Sequence, residues 1–336
     1  MSTDSAIGPA GQPGTGTPGQ PGTAPAGQPG LAAAGQPGPA VRARQPGFAL
    51  SAAPPGPTAP GRHWLALFRS ELRIVFLRPR NLAMLALLAG APIFLGVVLR
   101  INTPPPGSGG GPGAGAFIGQ IADNGVFLSL FALFLLLTVL LPLAIAVVAG
   151  DSVAGESGLG TLRLLLTVPA GRTRLLLTKY LMILVFCLVA CLIVAGVGLA
   201  MGALLFPIGP VTLLSGNSIS LVAGLLRLLM IVGYVAAALA ALGAIGLAYS
   251  TFTQHAIAVM AAILVTVMVS EIADAVQQVA VIHPYLPTNS WFSFDALLRM
   301  PIAWPEVTRG LVSFAVYTVI FGAIAWFRFS RVDITT

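Results

Sequence analysis

Six long apolar runs, joined by short polar connections, constrain the fold of this chain more than any other feature. They cover residues 82–99, 126–149, 180–206, 221–249, 255–282 and 311–327. A helix that crosses a bilayer needs about 20 apolar residues, and lipid offers no water to an unpaired backbone group. Only 8% of the residues are charged, whereas a soluble domain carries about 25%. The sequence therefore predicts an all-α integral membrane protein with about six transmembrane helices.

Three of these runs carry features that blur their limits. The first is short and contains Gly90 and Pro92, so a kink is expected there. The fifth is interrupted by Glu271 and Asp274 near its end, and the sixth is close to the lower length limit. The exact limits of the last two spans are therefore not fixed by the sequence.

Residues 1–61 form a low-complexity tail ahead of the transmembrane domain, which we assign to 62–336. Gly-Gln-Pro-Gly recurs every eight residues, beginning at Gly11, Gly19, Gly27 and Gly35. Such a Gly/Pro/Gln-rich segment has almost nothing to bury, so it is predicted to be disordered. It also lacks the basic start, apolar core and cleavage site of a secretory signal.

Residues 62–80 are predicted to form an amphipathic helix before the first span. Their apolar positions follow the three-and-four spacing of one helical face: Leu65, Phe68, Leu72, Val75 and Phe76. Five arginines alternate with these residues, a pattern that suits the headgroup layer of a membrane or the surface of a partner protein. Pro79 is expected to end or kink the helix. The candidate interface residues are Trp64, Phe68, Arg69 and Arg73.

The basic residues predict the orientation of the chain in the membrane. If the N-terminus is inside, eleven bases fall on the cytoplasmic side: Arg62, Arg69, Arg73, Arg78, Arg80, Arg163, Arg172, Arg174, Lys179, Arg328 and Arg331. Three fall outside: Arg100, Arg299 and Arg309. The positive-inside rule then predicts a multi-pass protein of the cytoplasmic membrane with both termini in the cytoplasm. The net charge of +7 is explained in this way, and no nucleic-acid partner is expected.

The sequence offers little material for catalysis or for ion coupling. The only lysine, Lys179, lacks the preceding glycines of a nucleotide-binding loop, so we expect no ATPase activity on this chain. The three histidines are scattered and no paired ligand motif is present, so we expect no metal or cofactor site. Cys187 and Cys191 lie one helical turn apart in an apolar run and are expected to act as small apolar side chains. The acidic residues lie at or beyond the ends of the runs, which disfavours a secondary transporter without excluding one.

The connection 150–179 is the most informative stretch. An acidic, glycine-containing hinge leads to a short apolar helix at Thr161–Val168, then to a turn at Pro169 and a basic helix start. The three consecutive leucines at 164–166 need cover at the membrane surface, either on lipid or in a groove of a soluble partner.

The residues of this connection follow a recurrent order: an acid, Gly-Thr-Leu, a leucine pair, a proline, a base and a lysine. They are Glu156, Gly160, Thr161, Leu162, Leu165, Leu166, Pro169, Arg172 and Lys179. In this respect, and in its Pro- and aromatic-rich last outer connection (285–304), the chain resembles the membrane subunits of ABC-2 type exporters over roughly residues 62–330. Arg163 departs from the family pattern, which often has an acid there.

The resemblance implies a permease subunit of an ATP-driven ABC exporter, with ATP hydrolysed by separate ATPase subunits. It also implies a second permease subunit, identical or related, and contact with membrane lipid. The ATPase-coupling residues would be Glu156, Gly160, Thr161, Leu165, Leu166, Pro169, Arg172 and Lys179, with 62–80 as the interface helix. The apolar spans favour a hydrophobic, drug-like or lipid-like cargo. The alternatives are a secondary transporter or channel, and a membrane scaffold without transport.

Overall fold

The computed structural model describes residues 60–102, 124–155, 172–212 and 217–331, all of which fall in one unit of the chain. Its helices are α1 (Pro60–Leu77), α2 (Pro79–Asn102), α3 (Val126–Thr138), α4 (Leu140–Ser152), α5 (Arg172–Leu205), α6 (Leu221–Ser250), α7 (Ala256–Ala275) and α8 (Trp304–Arg331). The strands β1 (Val211–Thr212) and β2 (Ser218–Ile219) pair antiparallel between α5 and α6. Short 3₁₀ turns at Gln277–Val279, His283–Tyr285 and Ser293–Leu298 join α7 to α8. The predicted tail lies outside the described residues, except for the first two residues of α1.

The helices have the lengths and compositions that a bilayer requires. Five of them, α2, α5, α6, α7 and α8, are each long and apolar enough to cross a membrane. Helices α3 and α4 meet the same criterion only as a pair, and their axes are bent by 54° at the break between them. The chain is therefore an all-α, membrane-embedded protein.

The bend between α3 and α4 interrupts a run that the sequence analysis treated as continuous. The break falls at Val139, whose backbone angles leave the helical range (φ −138°, ψ −54°). Pro142 follows three residues later, and it has no N–H to donate to the carbonyl of Thr138. A proline ring also clashes with the carbonyl four residues before it, so Pro142 accounts for the break.

The helix limits differ from the apolar runs where charges or prolines intervene. Helix α1 ends at Leu77 and α2 begins at Pro79, as Pro79 predicted, whereas α2 continues as one helix through Pro92. Helix α7 ends at Ala275, seven residues before the predicted limit. The acids Glu271 and Asp274 lie near its C-terminus, where the helix dipole disfavours negative charge.

The core of the bundle is the pair α5 and α6. Helix α5 packs on α1, α2, α3 and α6, and α6 packs on α4, α5, α7 and α8. Gly198 and Gly202 form a Gly-x-x-x-Gly step on α5, and this step permits a close approach of α5 to α3. A Cβ added at Gly198 would lie 2.9 Å from the Cα of Ser129. This step therefore serves packing within the chain.

One end of the bundle, which we call the basic end, gathers most of the described cations. They are Arg69, Arg73, Arg78, Arg80, Arg174, Lys179, Arg328 and Arg331. Ser152 at the end of α4 lies 3.3 Å (Oγ–Oγ) from Ser250 at the end of α6. Trp326 near the end of α8 donates to Thr173 at the start of α5 (3.0 Å). The connection 156–171 therefore leaves and re-enters the described structure at the basic end.

The opposite end is closed by polar contacts to backbone carbonyls. Asn124 before α3 donates to the carbonyls of Gly209 and Pro210, at 2.9 and 3.0 Å. Arg227, near the start of α6, donates to the carbonyls of Leu297 (2.8 Å) and Arg299 (2.9 Å). Arg227 thus fastens the connection between α7 and α8 onto α6.

The last connection also holds a small charged cluster. The guanidinium of Arg299 donates to Asp295 (2.8 Å) and lies 3.6 Å from Glu306. The hydrogen bond with Asp295, together with the negative charges of Asp295 and Glu306, raises the pKa of Arg299. Arg299 is therefore a permanent cation at this end of the bundle.

Replacing Arg227 with methionine is expected to loosen this connection. The substitution keeps a long apolar stem but removes the donor to both carbonyls. We expect a loss of about 1.5 kcal/mol, the low end for charged hydrogen bonds, because the site is partly exposed. Hydrogen exchange should become faster at residues 296–300. Arg309→Met, an exposed arginine on the first turns of α8, is the matched control. Unchanged exchange in the Arg227 variant would show that the two hydrogen bonds do not hold the connection.

Candidate functional site

The candidate site surrounds the two helix ends that flank the connection 156–171. We call them the roots of the connection: the last turn of α4 and the first two turns of α5. Most of the predicted coupling residues lie within that connection and so outside the described residues: Glu156, Gly160, Thr161, Leu165, Leu166 and Pro169. The structure describes the chain up to residue 155 and again from Arg172, where α5 begins. Both roots lie at the basic end, and each is held there by charged contacts.

The root on α5 is held by a buried ion pair. Lys179 lies in the second turn of α5, and its Nζ is 3.8 Å from Oε2 of Glu71 on α1. The two side chains are only 1% and 8% exposed. Further along both helices, the rings of Phe76 on α1 and Phe186 on α5 pack at 5.7 Å between centroids. Lys179, predicted as a coupling residue, is thus enclosed between α1 and α5.

The root on α4 is held by the residues at which α1 ends and α2 begins. Asp151, in the last turn of α4, accepts from Arg78 at 3.3 Å and from Arg80. The same Arg80 donates to the carbonyl of Val147 (3.4 Å). Asn81 is buried and donates to the carbonyl of Val75 (2.9 Å), which fixes the turn between α1 and α2. The arginines are 37% and 47% exposed, so solvent screens these ion pairs more than the one at Lys179.

A single short segment therefore contacts both roots of the connection. Residues 71–81, which we call the joint, reach α4 through Asp151 and α5 through Lys179. Because the partners of both roots lie in the joint, a displacement of one root is transmitted through the joint to the other root. The arrangement suits mechanical transmission between helices; in the described residues no group of three or more His, Cys, Asp or Glu is arranged to hold a metal ion.

The apolar face of the interface helix packs inside the protein. Val75 is buried, and Leu72 and Phe76 pack against the core of the bundle. Phe68 is half-buried, whereas Arg69 and Arg73 are exposed. Trp64 lies in α1 and Arg172 opens α5, but the structure does not describe their side chains. The predicted environments were lipid headgroups and the surface of a partner protein, whereas this apolar face packs on the chain's own helices.

Sequence reasoning did not assign Glu71 and Asp151 to the site. One signal was available for Glu71, which lies three residues after Phe68 and four before Val75. It therefore falls on the apolar face of α1, where an acid requires a buried partner. Asp151 directly follows the second apolar run and gave no comparable signal, because its partners are set by how the helices pack.

These features define a helical membrane protein whose first two helices are ion-paired to both roots of one polar connection. The chain belongs to a family described as a protein of unknown function, DUF2705, whose sequence profile matches residues 116–335. The match covers about two thirds of the chain and includes both roots, Asp151 and Lys179, but not α1 or α2. No curated protein matches the chain.

Proposed function

We propose that this protein is the membrane subunit of an ATP-driven ABC exporter in the cytoplasmic membrane. ATP is hydrolysed on separate ABC ATPase subunits, and a second permease subunit, identical or related, completes the translocation path. In this proposal the bent pair α3–α4 is the second of six spans. The basic end faces the cytoplasm, in accordance with the positive-inside rule, which puts both termini there.

The observation that carries the proposal is the attachment of both roots of the connection 156–171 to the joint. A soluble ATPase that presses on the connection displaces α4 and α5, which flank it, and moves the joint through the ion pairs of Asp151 and Lys179. The joint includes the start of α2. The displacement therefore reaches three spans, which contain α2, α4 and α5. Coupling further requires that the permease bind the two states of the ATPase with different affinity.

The cargo in this proposal is hydrophobic or amphipathic, such as a drug-like or lipid-like molecule. The candidate spans have few polar side chains, and large apolar side chains remain exposed along them, including Phe94 on α2 (72%) and Val319 on α8 (69%). Surfaces of this kind suit lipid and apolar solutes. A secondary transporter or channel is the alternative, and it differs by moving cargo without an ATPase.

Co-purification tests the proposal directly. The full chain, tagged at its C-terminus and solubilised in a mild detergent from its native membrane, should retain a protein with a Gly-x-x-x-x-Gly-Lys-Ser/Thr loop. The retained complex should hydrolyse ATP. A purified chain that moves cargo in vesicles with no such protein attached would contradict the proposal and favour the alternative.

Disrupting the leucine pair of the connection should uncouple this complex. In the proposed complex, Leu165 and Leu166 are buried against the ATPase subunit, and Leu165→Asp with Leu166→Asp places two charges there. We expect export to fall at least tenfold and the ATPase subunit no longer to co-purify with the chain. Membrane insertion should be unchanged. The matched control is Leu213→Asp with Leu214→Asp, a leucine pair that directly follows β1 in the sequence. Normal export and ATPase retention in the first variant would remove the coupling role.

A further inference from the structure

The face of α1 that points away from the bundle carries two arginines among exposed aliphatic side chains. Arg69, Arg73 and Leu77 follow one another at intervals of four residues and therefore lie along one side of the helix. Leu77 is 59% exposed, and Ile74 beside it is 47% exposed. We call these four residues the outer stripe. It lies opposite the buried face of α1, and the described helices leave it exposed.

The charges of the outer stripe are not neutralised within the described part of the chain. Arg78 and Arg80, the next arginines along, pair with Asp151. Glu71, the acid on the same helix, faces inward to Lys179. Neither Arg69 nor Arg73 forms an ion pair with an acid that the structure describes. Among the described residues, these two guanidinium groups one helical turn apart have no carboxylate partner, and a phosphate can accept such groups in bidentate geometry.

We propose that the outer stripe binds the headgroup of an anionic phospholipid. Arg69 and Arg73 contact the phosphate, while Leu77 and Ile74 lie against the upper part of the acyl chains. The proposal goes beyond the exporter function and does not depend on it, since it requires only that the chain be embedded in a membrane. It reverses the orientation expected from the sequence, because α1 meets lipid with its basic stripe rather than its main apolar face.

Two features favour lipid over an acidic surface of a protein partner. The stripe ends at Leu77, two residues before α2 begins at Pro79, so the stripe lies next to a span that is itself apolar enough to enter the bilayer. Exposed leucine and isoleucine on both sides of an arginine pair match the boundary between headgroups and acyl chains. Juxtamembrane arginines are also attracted by the negative surface potential of anionic leaflets.

Native mass spectrometry of the full-length protein in mild detergent tests the proposal. The protein is titrated with dioleoylphosphatidylglycerol or with dioleoylphosphatidylcholine, and the affinity of the tightest lipid is measured. We compare the unmodified chain with Arg69→Gln/Arg73→Gln, and with Arg100→Gln/Arg309→Gln as a matched control. The control removes two exposed arginines from the opposite end of the bundle. Thermal melting verifies that all three proteins are folded.

The unmodified chain should prefer phosphatidylglycerol, and the Arg69/Arg73 variant should bind it about 30-fold more weakly, as expected for two juxtamembrane arginines. The control should change by less than about threefold. Unchanged phosphatidylglycerol affinity in the Arg69/Arg73 variant overturns the proposal, as does an equal loss in the control. If that variant keeps its lipid but no longer co-purifies with a protein partner, the stripe is a protein interface and the proposal is wrong.

Discussion

Replacing Lys179 with methionine is expected to be among the most destabilising single changes in this protein. Methionine has a similar length and fits the space, but it leaves the carboxylate of Glu71 buried without its cation. Removing one partner of a buried ion pair costs about 3–5 kcal/mol, because the remaining charge stays desolvated. We expect a clear fall in the midpoint of thermal unfolding in detergent, together with faster hydrogen exchange in α1.

The double variant Glu71→Gln/Lys179→Met separates the charge effect from the packing effect. It removes both charges at nearly constant volume, and replacing a whole buried ion pair by neutral groups is often close to neutral in free energy. The double variant should therefore regain most of the lost stability. Arg299→Met serves as a control, since it breaks the exposed ion pairs to Asp295 and Glu306 and should have a small effect. Equal melting of the Lys179 variant and the unmodified chain would mean that the pair does not hold α1 to α5.

Replacing Gly202 with valine is expected to separate α5 from α3. A Cβ at this position would lie 2.7 Å from the carbonyl carbon of Gly125, and a backbone cannot move aside as a flexible side chain does. Overpacking a tight contact costs about 1–3 kcal/mol, and we expect the upper part of that range here. The variant should melt at lower temperature and show a broadened profile in size-exclusion chromatography.

Gly196 provides a matched control on the same helix. A Cβ added at Gly196 meets nothing within 4 Å, so Gly196→Val changes the same residue type in the same way without a collision. Its melting should equal or exceed that of the unmodified chain, because valine replaces a flexible glycine in a helix. If both variants melt alike, the close approach of α3 and α5 is not what the Gly-x-x-x-Gly step provides.

The apolar runs predicted the helical elements well because their signal is local. The third run, 180–206, and the fourth run, 221–249, coincide with parts of α5 and α6. Their predicted C-terminal ends differ from those of the helices by one residue each. The second run was right in position, but the bend at Val139 was missed although Pro142 was visible in the sequence. The limit of the fifth run was left open because Glu271 and Asp274 interrupt it, and α7 ends at Ala275, directly after these acids.

The candidate site was less accessible to sequence reasoning than the helices. Lys179 was selected through the resemblance to ABC-2 exporter subunits, yet its partner Glu71 was not, although the position of Glu71 on the apolar face of α1 pointed to a buried contact. A helix was predicted at 62–80, and the structure has α1 at Pro60–Leu77. The sequence did not predict which face of α1 turns toward the bundle, because this depends on whether other helices of the chain pack against its apolar face.

The sequence by itself determined that this protein is a helical membrane protein with a basic end and a polar connection between its second and third apolar runs. It did so because long apolar runs with so few charges have one favourable environment, the bilayer, and one favourable backbone, the helix. Only the tertiary structure decided that Glu71 meets Lys179 and that Arg78 and Arg80 meet Asp151. Such pairs join residues far apart in the chain, and their geometry is set by helix packing rather than by any local preference.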